Sequence, residues 1–280
     1  MNNVAISAAD VNKLRQMTGA GMMDCKKALA EANGDFEAAI DFLRKKGQKI
    51  AVNRSDKDAK EGAVLGKTTA DGKRGVVVMV NCETDFVAKN QDFMNFVDSL
   101  LNVALASNSK SPDELKTQML DGLTVSDKLF DMIGKIGEKI DLTHCDMIEA
   151  EKVVVYNHPG NRLTAMIGLN NGEVANISEI GKDIAMQIAA MNPVALDKED
   201  VDTETLNREI EIGKEQARQE GKPEEMLEKI AMGKLNKFYK ESTLLNQSFI
   251  KNDELTVAQY LGQADKALRI TAFKRIGLAN

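Results

Sequence analysis

Histidine and cysteine side chains are the first places to look for catalysis or metal binding in this sequence. The chain has two histidines, His144 and His158, and three cysteines, Cys25, Cys82 and Cys145, all far apart. Structural zinc sites need such ligands at short spacings, and neither a Cys-x-x-Cys nor a His-x-x-x-His pattern occurs. We therefore predict no metal, no cofactor and no enzyme active site. The odd number of cysteines favours free thiols in a reducing, cytoplasmic compartment.

A glycine-rich segment at residues 62–68 imitates a phosphate-binding loop. Its sequence is Gly-Ala-Val-Leu-Gly-Lys-Thr, with three residues between the glycines where a phosphate loop has four. A phosphate loop must also open a helix, whereas the Asp71-Gly72 pair that follows predicts a turn. The segment is therefore predicted to be a strand of a hairpin rather than a nucleotide site.

The charge balance argues against a protein whose main role is to bind nucleic acid. There are 37 basic and 43 acidic residues, for a net charge of −6. Binding to phosphates needs a surplus of lysine and arginine, and stacking on bases needs aromatic rings. Aromatic residues make up only 4% of this chain, and there is no tryptophan. We expect the partner to be a protein rather than RNA, DNA or a membrane.

Two adjacent methionines stand out near the beginning of the chain. Met22 and Met23 follow a Gly-Ala-Gly break at residues 19–21, so they are predicted to begin a helix. A small helical unit has little interior in which to bury both of them, and exposed methionines form an adaptable apolar contact surface. Packing of both side chains in the core is the alternative.

A second informative segment lies where a buried strand is predicted to end and a helix to begin. Thr84 and Asp85 are suited to cap that helix, which is predicted to continue through the apolar stripe that starts at Phe93. Phe86 is then placed beyond the edge of the sheet, where its ring would be exposed. The alternative is that the ring folds back into the core.

The remaining patterns predict an α+β fold. Residues 1–52 predict three short helices, of which the third is expected to close at Gly47, and residues 53–61 predict a basic linker. Residues 62–150 and 151–280 each predict two strands followed by a helix, which indicates two related core subdomains.

Two further helices are predicted within this plan. One starts at Thr124 and is expected to bury a stripe that includes Met132 and Ile136. The other prediction is an antiparallel helical hairpin, or coiled coil, inserted at about 197–241, because two narrow apolar seams flank a Gly-Lys-Pro turn in a highly charged stretch.

Together the Thr-Gly-Ala-Gly-Met-Met run at residues 18–23 and the Thr-Asp-Phe-Val-Ala-Lys run at residues 84–89 resemble the elongation factor Ts family. Ile136-Gly137-Glu138 and the turn from Tyr156 to His158 agree with the same family. The resemblance implies an N-terminal module similar to ubiquitin-associated domains, two core subdomains and the helical hairpin. Met79 departs from it, because the family commonly has glutamate there, and we expect none of the contacts made by the extra C-terminal module of some members.

The resemblance also implies a role and a set of contact residues. Members of the family are guanine-nucleotide exchange factors that bind elongation factor Tu·GDP and promote GDP release without binding nucleotide themselves. One expected contact is a wedge that displaces Mg²⁺, formed by Thr84, Asp85, Phe86 and Val87. The expected N-terminal contact is formed by Arg15, Met22 and Met23. Weaker contacts are expected from Ile136, Gly137 and His158.

Two other functions remain open on sequence grounds. One is a ribosome- or RNA-associated accessory protein that uses the basic linker, although the acidic balance counts against it. The other is an enzyme, against which the sparse catalytic residues count. The oligomeric state also stays open, with a homodimer through the core or the hairpin as one alternative.

Overall fold

The chain begins with three helices in the computed structural model, which describes residues 6–278. They are α1 (Ala8–Thr18), α2 (Met22–Glu31) and α3 (Phe36–Asn53). Ser7 and Asp10 cap α1 reciprocally, and the Asp35 side chain accepts a hydrogen bond at the start of α3. The apolar stripes of the three helices meet in a small core of their own around Leu14 and Leu29.

Helix α3 does not close at Gly47 as the sequence suggested. It continues to Asn53, and Gly47 lies where α3 packs against a later helix. A Cβ atom at Gly47 would stand 2.0 Å from the backbone oxygen of Phe130, so only glycine allows this approach. The glycine thus serves close helix packing rather than helix termination, and the basic residues Lys45, Lys46 and Lys49 lie within α3.

The remaining strands and helices of the described residues follow in chain order. They are β1 (Glu61–Thr68), β2 (Arg74–Cys82), α4 (Asp85–Ala88), α5 (Gln91–Ser107), α6 (Pro112–Lys116), β3 (Met119–Leu120), β4 (Leu123–Thr124), α7 (Val125–Ile136), β5 (Ile140–Glu149), β6 (Lys152–Asn157), β7 (Leu163–Leu169), α8 (Ile177–Met191), α9 (Thr203–Gln219), α10 (Glu224–Ser242), β8 (Ser248–Phe249), β9 (Asn252–Thr256), α11 (Val257–Ala264) and β10 (Ile270–Gly277). The α+β class predicted from the sequence is confirmed.

Two antiparallel three-stranded sheets form the centre of the molecule. The first has the order β1-β2-β5, and the second has the order β10-β7-β6. The run Val76–Val80 in β2 is buried on one face against α5 and α7, and on the other against the second sheet. This two-sided burial explains why the strand is apolar throughout rather than alternating.

Asparagine and threonine side chains join the two sheets at the free edge of β1. The Asn157 amide accepts from the Gly66 N–H at 2.8 Å and donates to the Gly66 carbonyl at 3.0 Å. The Thr164 hydroxyl donates to the Val64 carbonyl at 3.0 Å, and the Val64 N–H donates to the Asn161 carbonyl. These bonds satisfy backbone groups that would otherwise be exposed along the strand.

The helix predicted to start at Thr84 is in fact two helices. Helix α4 spans only four residues, and α5 begins again at Gln91 because the Asn90 side chain accepts hydrogen bonds from the N–H groups of Asp92 and Phe93. In α7 the prediction also needs correction. Thr124 caps that helix as expected, but Met132 and Ile136 are half-buried because they border grooves beside the core.

Helices α9 and α10 lie antiparallel, joined by the turn at 221–223. Gly213 of α9 approaches the backbone of Ala231 of α10, and Lys234 donates to Gln216 and Glu220 across the pair. At the base, Val194 donates to the Ser242 carbonyl at 2.8 Å, so the chain enters and leaves this pair at adjacent positions.

Deleting residues 203–240 and joining the ends with a linker of about four glycine and serine residues should leave the rest of the chain folded. The reason is that the chain shortly before the pair, at 194–196, is hydrogen-bonded to the chain directly after it, at 242–245. We expect a soluble product whose melting temperature is close to that of the parent and whose helical circular dichroism is lower. A full-length chain with the same linker in place of residues 221–223 is the control. An insoluble or unfolded deletion product would contradict the prediction.

Candidate partner-binding surface

The corner between β2 and α4 is held by a glutamate that follows α7. The Glu138 carboxylate accepts one hydrogen bond from the Thr84 N–H at 3.1 Å and another from the Thr84 hydroxyl at 2.9 Å. Thr84 is the N-cap of α4, and its side chain in turn accepts from the Val87 N–H. The first turn of α4 is therefore attached to the end of α7.

A second carboxylate ties the same corner to the end of α3. Glu83 accepts from the Arg54 guanidinium at 2.6 Å and from the Lys139 N–H at 2.6 Å. These bonds, the one from Arg54 above all, lower the pKa of the Glu83 carboxyl to about 2. The Lys139 ammonium donates to the carbonyls of Ser55 and Lys57, which fixes the segment after α3.

Replacing Glu83 with glutamine should remove a pH-dependent part of the stability. A carboxyl whose pKa falls from its ordinary 4.5 to about 2 on folding stabilises the fold fully above about pH 4.5 and loses this effect as the pH falls toward 2. At neutral pH we expect Glu83→Gln to lower the free energy of unfolding by about 2–3 kcal/mol. Thermal melts of both proteins from about pH 7 to about pH 2.5 should show the difference shrink. A difference that stays constant with pH would contradict the prediction.

The corner presents Asp85 and Phe86 to solvent. The Phe86 side chain is 83% exposed, so the alternative that its ring belongs to the core is wrong. Asp85 is half-buried, and it pairs with Lys89 one turn later at 2.7 Å. This hydrogen bond from Lys89 is the main reason why the pKa of Asp85 is lowered.

The N-terminal methionines are exposed as well. Met22 and Met23 are 52% and 76% exposed at the first two positions of α2, and Arg15 near the end of α1 is also exposed. Gly19 between the helices has φ 68°, the left-handed conformation that commonly ends a helix. The alternative that both methionines pack in the core is therefore wrong.

The two segments border one groove of about 560 Å³, which we call the Met22–Phe86 groove. Its lining comes from the α1–α2 turn, from the α4 corner and from the end of α7. The lining residues are Arg15, Gly19, Ala20, Gly21, Met22, Phe86, Val87, Asn90, Asp92, Lys135 and Ile136. Residues that lie more than sixty positions apart in the sequence thus share one concave surface, which combines apolar and charged side chains.

Close packing and one ion pair hold the three N-terminal helices against the core beside this groove. The Lys135 ammonium lies 2.6 Å from the Asp92 carboxylate, and the Lys135 side chain covers Gly19 so closely that a Cβ there would stand 2.7 Å from its Cε. Arg44 of α3 pairs with Asp131 of α7 at 3.2 Å. These contacts fix the position of Met22 relative to Phe86.

The other predicted contact residues occupy different positions. Ile136 and Val87 line the Met22–Phe86 groove, and Gly137 ends α7 beside it with φ 84°. His158 does not line this groove: it is exposed in the turn between β6 and β7, where its Nδ1 lies 3.0 Å from the Tyr156 hydroxyl. No local pattern singles out Lys135, because its partners come from distant segments.

The described residues show no cluster of three or more histidine, cysteine, aspartate or glutamate side chains that could hold a metal ion. All three cysteines are free and buried, and burial raises the pKa of Cys82 and of Cys145 to about 12. None of the three thiols is therefore primed as a nucleophile. Across residues 6–278, no helix has the length and apolar character needed to cross a membrane.

Comparison with known proteins decides the family. The family model described as Elongation factor TS matches residues 83–280, which include the β2–α4 corner, α7 and everything that follows. The chain belongs to the elongation factor Ts family. It is therefore a translation elongation factor, with a role in protein biosynthesis.

Relatives cover the N-terminal helices as well. The chain is 54% identical to elongation factor Ts of Cytophaga hutchinsonii over 98% of this chain and 99% of the relative. It is 50% identical to elongation factor Ts of Amoebophilus asiaticus over 98% and 99%, and 45% identical to that of Porphyromonas gingivalis over the same shares. The similarity thus includes the Met22–Met23 segment, which lies before the match to the family model.

Proposed function

We propose that this protein is the guanine-nucleotide exchange factor for elongation factor Tu. It binds the GDP-bound and nucleotide-free forms of that partner, promotes the release of GDP and so allows GTP to bind. The observation that carries the proposal is the Met22–Phe86 groove, which places two exposed apolar segments of the family on one surface. An apolar centre with a polar edge is the usual build of a protein-binding surface.

In this proposal each segment has its own task. Asp85 and Phe86, supported by Thr84 and Val87, are inserted into the nucleotide domain of elongation factor Tu and displace the elements that hold Mg²⁺ and the phosphates. Arg15, Met22 and Met23 contact a helix of the same domain. Ile136, Gly137 and His158 make weaker contacts with other parts of the partner.

The proposal extends to the organisation of the chain. Residues 1–52 form the module similar to ubiquitin-associated domains, 53–61 the linker, and 62–150 and 151–280 the two core subdomains. Helices α9 and α10 form the coiled-coil hairpin of the family. The protein acts in the cytoplasm as a binding protein without a catalytic residue of its own, and a homodimer through the core or the hairpin is compatible with this role.

Thermodynamic linkage limits what such a factor does. If the factor weakens GDP binding by some ratio, GDP weakens factor binding by the same ratio. The factor therefore accelerates exchange without setting the final ratio of GDP to GTP on a partner saturated with nucleotide. The factor acts only by binding to the opened partner more tightly than to the closed partner.

Release of labelled GDP from elongation factor Tu tests the proposed function. We expect the protein to accelerate release, and to bind elongation factor Tu with much less dependence on salt than an RNA complex shows, because its exposed anchors Met22, Met23 and Phe86 are apolar. The alternative, an RNA-associated protein without exchange activity, would leave GDP release unchanged and would shift RNA in a gel. That pair of results would overturn the proposal.

A further inference from the structure

Helix α4, which carries Phe86, is a single turn of four residues, and a turn of this length is unstable in isolation. Val87 and Ala88 pack against the core and hold the end of the turn. The Phe86 ring is 83% exposed and adds almost no packing at the beginning of the turn. The orientation of the first turn, and of the ring with it, therefore depends on the hydrogen bonds at the start of α4.

Glu138 accepts the hydrogen bonds that fix the start of α4. Both of its carboxylate oxygens are used, one for the Thr84 N–H and one for the Thr84 hydroxyl. Hydrogen bonds to an ionised carboxylate are about twice as strong as neutral ones. Glu138 itself is anchored, because it follows the C-cap of α7, whose Leu129 and Ile133 are buried in the core.

We propose that Glu138 is a positioning residue for exchange: through Thr84 it holds the α4 corner in the orientation in which Phe86 enters the partner. This inference rests on the proposed function. A corner that is ordered before binding does not lose conformational entropy when the partner opens around it. Without Glu138, the corner must become ordered when Phe86 enters the partner. This entropy loss raises the free energy of the opened complex, so GDP release becomes slower.

The test measures GDP release from elongation factor Tu loaded with fluorescent GDP over a range of factor concentrations. For Glu138→Ala we expect the release rate at saturation to fall about tenfold, which is about 1.4 kcal/mol. The half-saturating concentration should change less than about twofold, because the Met22–Met23 contact is retained. Glu138→Gln should recover most of the rate, since its amide oxygen accepts from the Thr84 N–H and its amide group donates to the hydroxyl.

A double variant separates positioning from general damage. In a Phe86→Ala background, Glu138→Ala should change the saturated rate by less than about twofold, because the residue that it positions is absent. Asp183→Ala is the matched control: Asp183 is a buried carboxylate that accepts from Lys251 at 2.6 Å and Tyr260 at 3.1 Å, in the second half of the chain. Its removal should lower the melting temperature and leave the saturated release rate unchanged.

Three results would overturn the role of Glu138: a parent-like saturated rate for Glu138→Ala, an equal loss in the Phe86→Ala background, or no recovery with Glu138→Gln. If Glu138→Ala fails to fold, Glu138→Asp carries the same test: its shorter side chain keeps the charge but not both hydrogen bonds to Thr84, so it should lose rate while Glu138→Gln retains most of it. A parent protein that does not accelerate GDP release would instead refute the proposed function. The two failures are therefore distinguishable.

Discussion

Phe86→Ala is expected to weaken binding to elongation factor Tu about a hundredfold. An aromatic ring that fills a pocket in a partner typically contributes about 3 kcal/mol, and about 1.4 kcal/mol corresponds to a factor of ten in affinity. The same change should leave the free protein intact, because the ring is 83% exposed and serves no core. Titration of the nucleotide-free partner and thermal melting of the free variant measure the two effects.

Either the expected loss of affinity or the expected unchanged stability of Phe86→Ala can be contradicted by measurement. A melting temperature well below that of the parent would mean that Phe86 supports its own fold, contrary to its exposure. An affinity within about threefold of the parent would mean that the ring does not enter the partner. Phe86→Leu is an informative intermediate, because it keeps an apolar side chain while losing the aromatic shape.

Replacing Met22 and Met23 together with alanine should weaken binding about thirtyfold. Each exposed methionine is expected to contribute about 1 kcal/mol to the interface, and their sum of about 2 kcal/mol converts to this factor. Stability should change little, because truncating exposed apolar side chains rarely costs much. Affinity and melting temperature of the double variant check both statements.

Two methionines on another helix provide the control. Met226 and Met232 of α10 are 45% and 46% exposed, and neither lines the Met22–Phe86 groove. Their joint replacement by alanine should leave the affinity unchanged. If the Met22/Met23 variant melts far below the parent, or if both double variants bind equally well, the N-terminal contact is wrong.

Local patterns predicted most of the secondary structure. The stripe that begins at Phe93 is buried in α5 as its helical spacing indicated, and Thr124 caps α7 as its spacing to Asp127 indicated. These features depend on residues a few positions apart. The short elements β3, β4, α6, β8, β9 and α11 were not predicted, because strands of two to five residues and helices of about two turns or fewer hold too few side chains to show a period.

Long-range packing explains what could not be predicted. Gly47 looked like a helix end, because glycine is usual there, but it is buried against Phe130, a residue more than eighty positions away. That contact, together with the packing of the Lys135 side chain over Gly19, brings Met22 beside Phe86. The residues alone left open whether each segment is exposed or packed in the core, and the single groove that they share follows only from the tertiary fold.

We propose that Phe86 opens the partner rather than merely holding it. Stopped-flow release of labelled GDP, at factor concentrations that saturate elongation factor Tu, distinguishes opening from simple binding. At saturating factor concentrations all of the partner is bound, even by a variant with lower affinity. Any remaining loss of rate therefore means that the variant no longer stabilises the opened partner more than the closed one. We predict that Phe86→Ala releases GDP at least about tenfold more slowly than the parent under these conditions. Equal rates at saturation would show that Phe86 is only a binding contact and would contradict the proposal that Phe86 opens elongation factor Tu.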